Sequence, residues 1–281
     1  MNLIDGTLIA QKITLKIKEA VASIKGRKPG LAFILVGNNP SSQSYIRAKK
    51  KKCAEVGIVS FDYEFSETIS EKELIEQIEM LNKNPAIDGI LLQLPLPEHI
   101  DPMRATEAID PEKDVDGFHP LNVGKLYLGR KDTFIPCTPL GVHILLKEAQ
   151  VPLSGQHVVI VGRSSIVGKP LAALLMQKEP YCNATVTVAH SMTKNLDAVC
   201  ASADVLIAAI GHPLFIQPHM VKKGAVVIDV GINRVEGRIV GDVDFAKVAP
   251  LCKAITPVPK GVGPMTIAML LSNTLLSYER R

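Results

Sequence analysis

Apolar residues Ile9, Ile13, Ile17, Val21 and Ile24 recur at steps of four and three, the spacing that lines one face of a helix. Gly26 and the Pro29-Gly30 pair end that pattern. Leu31 to Val36 is a short unbroken apolar run, the signature of a parallel strand covered on both faces. A loop at Gly37 to Pro40 then leads into a polar helix reaching about Val56, and Val59 to Phe65 reads as the next strand. Ser70 and Glu73 form a capping box that opens a helix to about Leu81, and Ile87 to Leu92 follows as a third strand.

From Pro95 to Thr138 the periodicity breaks. This stretch is rich in proline, glycine and aspartate with only short apolar pieces, which predicts loops around a site. Thr138 and Pro139 suit an N-cap followed by proline at the first helical position, starting a helix to about Ala149. Strand patterns resume at His157 to Val161, Thr185 to Ala189, Val205 to Ile210 and Ala225 to Val230. Pro264 to Tyr278, with Ile267, Leu270, Leu271, Thr274, Leu275 and Tyr278 at helical spacing, closes the chain as an amphipathic helix. Strands alternating with helices predict an α/β fold with mainly parallel sheets in two lobes. The lobes are residues 1–139, completed by the helix at 264–281, and residues 140–263, with the chemistry expected in a cleft between them.

With 281 residues, the chain has enough length for two such lobes, each burying its own core. A composition of 47% apolar and 21% charged residues belongs to a folded domain rather than a disordered one. Apolar stretches such as Val205 to Ile210 fall far short of the roughly 18 residues a membrane-spanning helix needs. The first residues lack the basic and then apolar regions of a secretory signal, so a cytoplasmic setting without membrane association is expected. Five cysteines, odd in number and without a Cys-x-x-Cys pair, suggest packed thiols rather than a metal site. The net charge of +4 suits small anions as well as nucleic acid, but 4% aromatics leave few platforms on which bases would stack. In the basic run from Lys49 to Lys52, Lys50 and Lys52 read as a solvated helix face.

Chemistry enters at Val158 to Val161, which runs straight into Gly162-Arg163-Ser164-Ser165-Ile166-Val167-Gly168-Lys169-Pro170 and an apolar helix from Leu171 to Met176. A strand, a glycine-bounded turn and a helix start let backbone N–H groups and the helix dipole face a pyrophosphate, the arrangement of a Rossmann-type dinucleotide site. The spacing is one residue longer than Gly-x-Gly-x-x-Gly, and Ser164 replaces the middle glycine, so a ligand-free tight turn is the competing reading. The second strand of this lobe ends at Ala189-His190-Ser191, without the carboxylate that holds the ribose of NAD. Arg163 and Ser191 offer a cation and a donor for a 2′-phosphate instead, which favours NADP. His190 is open to both a charged role there and a structural one.

Tyr45-Ile46-Arg47-Ala48-Lys49, Gln93-Leu94-Pro95-Leu96-Pro97, Lys113-Asp114-Val115-Asp116-Gly117-Phe118, Pro136-Cys137-Thr138-Pro139 and Thr256 to Thr266 carry polar residues out of keeping with a plain scaffold. Together with Gly162 to Pro170, Gly231-Ile232-Asn233-Arg234 and Val240-Gly241-Asp242-Val243, they resemble the bifunctional methylenetetrahydrofolate dehydrogenase/cyclohydrolase family over nearly the whole chain. The resemblance implies NADP-linked oxidation of 5,10-methylenetetrahydrofolate to the methenyl cation and hydrolysis of that cation to 10-formyltetrahydrofolate. It implies a catalytic set of Lys49, Gln93, Tyr45 and Asp116. Folate contacts would come from those four with Leu94, Pro95, Pro259, Gly261, Val262, Gly263 and Pro264. Cofactor contacts would come from Gly162, Arg163, Ser164, Ser191 and Ile232. No metal is implied, and a homodimer through the cofactor lobe is.

Tyr45 and Lys49 lie four apart on a helix, so one ring-stacking and one reacting side chain share a face. Lys49 is the candidate for moving protons in the hydrolysis, and a charged ammonium would sit badly beside a cationic methenyl group. Gln93 matches the residue that orients the amine, and Asp116 the one that accepts from the pterin. Asp114 reads as a loop-forming residue. The chain departs from the family at Lys260, where glycine is usual, and at Ala189, where cysteine is common. Lys260 is expected to pair with the anionic glutamate tail of folate. Competing readings are a dehydrogenase without cyclohydrolase activity, an NAD-dependent enzyme, or a non-catalytic NADP-binding protein.

Overall fold

The unbroken apolar runs become parallel strands because each is covered on both faces, and the amphipathic segments between them supply the cover. A computed structural model describes the backbone of residues 1–281 and every side chain except that of Ser41. In chain order the elements begin with β1 (Asn2–Leu3), α1 (Gly6–Ser23), β2 (Gly30–Val36), α2 (Pro40–Val56), β3 (Val59–Phe65), α3 (Glu71–Lys83) and β4 (Gly89–Leu92). Next come α4 (Pro102–Glu107), α5 (Pro120–Tyr127), α6 (Cys137–Glu148), β5 (His157–Val161), α7 (Gly168–Leu175), β6 (Thr185–Ala189), α8 (Leu196–Ala201) and β7 (Val205–Ala208). The chain finishes with β8 (Val226–Asp229), β9 (Asn233–Val235), β10 (Arg238–Val240), α9 (Phe245–Val248), β11 (Ala254–Ile255) and α10 (Val262–Glu279). Two compact units result, one of residues 12–125, 132–137 and 267–281, the other of residues 1–11, 126–131 and 138–266.

In the first of these units, β2 lies between β3 and β4 in a parallel sheet, and all seven of its residues are buried. Helix α3 covers one face with Leu74, Ile78 and Leu81, which pack with Ala32, Ile34, Ile90 and Leu92. Each fully buried side chain of this size contributes about 1.5–3 kcal/mol. The capping box at Ser70 and Glu73 forms as the sequence predicts. Buried Asp88 takes a two-pronged bond from Arg27, at 2.6 and 2.7 Å, and a third from the amide of Gly30 at 2.8 Å. Helix α10 is tied in by Asn273, whose side chain donates to the carbonyls of Val115 and Ile135 at 2.8 and 3.1 Å.

The second unit has a six-stranded parallel sheet in the order β1-β11-β8-β7-β5-β6. Its core gathers Val159, Val161, Leu206, Ala208, Val227 and Ile255 from four strands. The carboxyl ends of β5, β6, β7 and β8 therefore lie along one edge, where ligands bind in open α/β sheets.

Several local expectations need correction. The stretch from Pro95 to Thr138 is not loop throughout, since it holds α4 and α5. Asp101 caps α4 by accepting from the amide of Met103, and Pro102 takes the first helical position, but both helices are too short for a readable period. Thr138 is not the N-cap of α6, which already includes Cys137; its hydroxyl instead meets that of Thr266 at 3.0 Å. The two-residue strands β1 and β11 and the β9–β10 hairpin were likewise invisible to periodicity. The hairpin turns through Glu236 and Gly237, both with positive φ, the backbone that a two-residue turn needs.

Candidate active site and cofactor turn

Helix α2 starts where Asn39 accepts from the amide of Ser42, and the four-residue step then puts Tyr45 and Lys49 on one face. The Lys49 Nζ lies 5.8 Å from the centre of the Tyr45 ring. Lys49 is 7% exposed and Tyr45 39%, so the amine is sheltered while the ring keeps an open face. Gln93 directly follows β4, and its amide extends the ladder by donating to Ile34 at 2.9 Å. Its side-chain N–H donates to the Leu94 carbonyl at 2.6 Å, which leaves Oε1 to accept from Lys49 at 3.3 Å. The peptide bond between Leu94 and Pro95 is cis.

Asp116 is set by the loop before it. Asp114 accepts from the amides of Gly117, Phe118 and His119 and from the side chain of Asn122, at 2.8–3.1 Å, so it is a buried organiser of the loop, as its sequence context predicts. Gly117 has φ +75°, and a Cβ there would overlap the backbone at Ile135 and Pro136. Only glycine lets the two segments touch, and their contact brings Asp116 beside Cys137. Burial pushes the Asp116 carboxyl above the ordinary aspartate range, while the Lys49 charge and a hydrogen bond from the Cys137 thiol pull it back. The Cys137 thiol is itself driven well up by burial and by Asp116. In the sequence Cys137 carries no signal of a chemical role beyond its place in Pro136-Cys137-Thr138-Pro139. Tyr45, Lys49, Gln93, Leu94, Pro95 and Asp116 all belong to this unit.

In the other unit the predicted cofactor residues lie on loops after the sheet's carboxyl ends: Gly162, Arg163 and Ser164 after β5, Ser191 after β6 and Ile232 after β8. Arg163, Ser164, Ser191 and Ile232 are exposed. Gly162 has φ +128°, and a Cβ there would overlap the carbonyl oxygen of Ala209; at Gly168 it would overlap that of Gly162. The two glycines thus let the turn pack backbone against backbone, on the loop after β7 and on itself. Ser164 Oγ accepts from the amide of Val167 at 3.2 Å, shaping the entry to α7. This geometry suits a pyrophosphate at the amino end of α7, so the residues present fit a dinucleotide. The ring of His190 accepts from the amide of Met192 at 3.2 Å, which is a turn-forming role.

Pro259, Gly261, Val262, Gly263 and Pro264 form the turn into α10 and its first residues. The Val258–Pro259 bond is cis, and Lys260 is exposed with φ +84°, in the left-handed region that favours glycine. Gly6 packs so closely on Gly261 that a Cβ would overlap its carbonyl. No cluster of side chains that would hold a metal ion is present among the described residues.

Two family models account for most of the sequence: the catalytic domain of tetrahydrofolate dehydrogenase/cyclohydrolase over residues 4–116, and its NAD(P)-binding domain over residues 136–281. The chain belongs to the tetrahydrofolate dehydrogenase/cyclohydrolase family. It is 55% identical to the bifunctional protein FolD of Protochlamydia amoebophila, covering 99% of this chain and 98% of that one. The crystal structure of the bifunctional FolD methylenetetrahydrofolate dehydrogenase/cyclohydrolase of Campylobacter jejuni is similar with a TM-score of 0.97 at 49% identity, covering 100% of this chain and 99% of that one. The Trypanosoma brucei methylenetetrahydrofolate dehydrogenase-cyclohydrolase, solved with NADP and an inhibitor, has a TM-score of 0.93 at 39% identity, covering 99% and 97%. Like these relatives, this family member is an enzyme with an NAD(P)-binding domain, and no helix among its described residues is long and apolar enough to cross a membrane.

Proposed function

We propose that this enzyme oxidises 5,10-methylenetetrahydrofolate with NADP and hydrolyses the resulting methenyl cation to 10-formyltetrahydrofolate, with Lys49 handling the protons of the second step. The observation that carries this reading is the sheltered amine of Lys49, 3.3 Å from Gln93 Oε1 and stacked near the Tyr45 ring. Tyr45, Lys49, Gln93 and Asp116 supply the folate chemistry, and the loops after β5, β6 and β8 the cofactor site.

NADP, when bound, accepts the hydride that leaves the bridging carbon. The chain's contribution to that step is placement: Tyr45 offers a flat face to the folate ring, and Asp116 accepts from the pterin's amino and ring N–H groups. Leu94, Pro95, Pro259, Gly261, Val262, Gly263 and Pro264 wall the folate. Gly162 and Ser164 would take the pyrophosphate, Arg163 and Ser191 would hold the 2′-phosphate, and Ile232 would border the cofactor.

In the hydrolysis, water attacks the methenyl carbon and loses one proton, giving a neutral carbinolamine; the bond from that carbon to the ring nitrogen then breaks as the nitrogen gains a proton, and the hydroxyl releases its own proton to solvent as it becomes the formyl carbonyl. Lys49 takes the first proton and delivers the second. Gln93 holds the amine in line, because its own N–H is occupied by Leu94 and only its oxygen faces Lys49. Lys260 pairs with the glutamate tail of folate. The enzyme works in the cytoplasm as a homodimer formed through the cofactor unit, a state that sedimentation of the purified protein checks.

The test is a spectrophotometric assay with methylenetetrahydrofolate and either NADP or NAD, followed by methenyl hydrolysis. Reduction of NADP in preference to NAD, and hydrolysis without cofactor, are the expected results. An enzyme that reduces NADP but leaves methenyltetrahydrofolate intact is a dehydrogenase alone.

A further inference from the structure

We propose that Asp229 and Asp242, a buried carboxylate pair interlocked through two glycines, are positioning residues that set the loops after β7 and β8 for the cofactor. The inference rests on the reading of the Gly162 turn as the NADP site. Asp229 is 3% exposed and Asp242 is fully buried. Asp242 Oδ2 accepts from the amides of Ile210 and Gly211 at 2.7 and 2.9 Å, and its Oδ1 from the side chain of Asn233 at 2.8 Å. Asp229 accepts from the amides of Gly231, Asp242 and Val243, each at 2.9 Å, and its own amide takes a bond to Thr256 Oγ1 at 2.8 Å.

The two halves fit only because of glycine. A Cβ on Gly231 would overlap the Asp242 carboxylate, and a Cβ on Gly241 would overlap that of Asp229. Each carboxylate therefore occupies the space that a side chain beside its partner would fill. The backbone repeats the link, since Leu214 and Ile216 donate to the carbonyls of Gly241 and Asp242 at 3.0 and 2.9 Å.

This bracket reaches the cofactor turn in one step. Ala209, immediately before the two amides that Asp242 holds, is the residue whose carbonyl lies against Gly162. Ile232 and Asn233 follow Gly231, whose amide Asp229 holds. Neither carboxylate makes an ion pair among the described residues, so a cation does not explain their burial; five backbone amides do. A buried carboxylate that accepts several amides fixes a loop more tightly than neutral side chains can. The hydrogen bonds of the two carboxylates go to the loops after β7 and β8, to Asn233 and to the backbone at Asp242 and Val243, and none goes to Tyr45, Lys49, Gln93 or Asp116.

The bifunctional enzyme supplies its own control, because hydrolysis of the methenyl cation consumes no cofactor. The full-length wild type, Asp242→Ala and Asp242→Asn are compared for NADP KM, dehydrogenase kcat and cyclohydrolase rate. Asp242→Ala is expected to raise the NADP KM by about tenfold or more, with kcat at saturation and the cyclohydrolase rate within about threefold of wild type. Asp242→Asn keeps an oxygen toward Ile210 and Gly211, and Asn233 can turn its amide to accept from it, so its KM is expected within about threefold of wild type. An unchanged KM in Asp242→Ala overturns the proposal. So does a Asp242→Ala protein that loses cyclohydrolase and NADP affinity together, or an Asn variant as weak toward NADP as the Ala variant. A wild type that fails to reduce NADP at all would instead refute the cofactor reading beneath it.

Discussion

Replacing Lys49 by methionine removes one amine and leaves nearly everything else in place. The lysine stem is buried, with the residue only 7% exposed, and methionine matches its length without branching, so no cavity opens. The structural cost is the lost bond to Gln93 Oε1, 3.3 Å away, worth about 1 kcal/mol. The catalytic cost is larger. General acid–base assistance contributes about 10²- to 10⁴-fold, which corresponds to about 3–5 kcal/mol of barrier. Hydride transfer needs no proton from the protein, so the dehydrogenase is expected to fall by less than about tenfold. The positive charge that draws the Asp116 carboxyl down also disappears, so Asp116 titrates higher and folate binding weakens from a higher pH as the medium is acidified. The assay follows loss of the methenyl chromophore without cofactor, alongside NADP binding by fluorescence. Undiminished hydrolysis, or an equal loss of both activities, would refute the role assigned to Lys49.

Other outcomes follow from single features of the structure. Arg163→Ala is expected to raise the KM for NADP by about 10- to 100-fold, the loss of one charge-assisted bond, while the KM for NAD stays nearly constant; equal changes for both cofactors would contradict the 2′-phosphate role. Lys260→Gly should stabilise the protein by about 1 kcal/mol in urea denaturation, because φ +84° suits glycine, and should weaken binding of polyglutamylated folate selectively. Asp88→Ala leaves Arg27 and the Gly30 amide unpaired, and about 2–4 kcal/mol of unfolding free energy is expected to disappear, a figure tempered by the 42% exposure of the Arg27 side chain. Burial and the neighbouring Asp242 hold the Asp229 carboxyl up at about 6. Because the folded state binds that proton more tightly than the unfolded chain, this group's contribution to stability falls as pH rises from about 4 through 6. A carboxyl-carbon NMR titration should show its midpoint near 6, and a midpoint in the ordinary aspartate range would contradict the geometry.

Most of the scaffold was legible because burial imposes a period. The strands at His157 and Thr185 match their predicted bounds because both runs are apolar or β-branched, and Val59 to Phe65 does so because apolar and polar residues alternate along it, as an edge strand with one covered face requires. The capping box at Ser70 was readable for a local reason: both of its hydrogen bonds span three residues. The grouping of Tyr45 with Lys49 was likewise set by helix geometry alone.

What periodicity could not reach depended on contacts between distant segments. That Gln93 turns its oxygen toward Lys49 follows from β4 lying beside β2 and from the Leu94 carbonyl occupying the amide's N–H. That Cys137 meets Asp116 follows from Gly117 lying flat against Pro136. Asp229 falls inside a predicted strand and Asp242 inside a motif shared with the family, and nothing in a linear sequence shows that each fills the gap left by a glycine eleven or twelve residues away. The chain alone determined which segments are helix or strand and which side chains share a local face, since those depend on spacing along the backbone. Which carboxylate is desolvated, which amide is held and which glycine must lack a side chain were decided only by packing, because burial and hydrogen-bond partners exist only once remote segments touch.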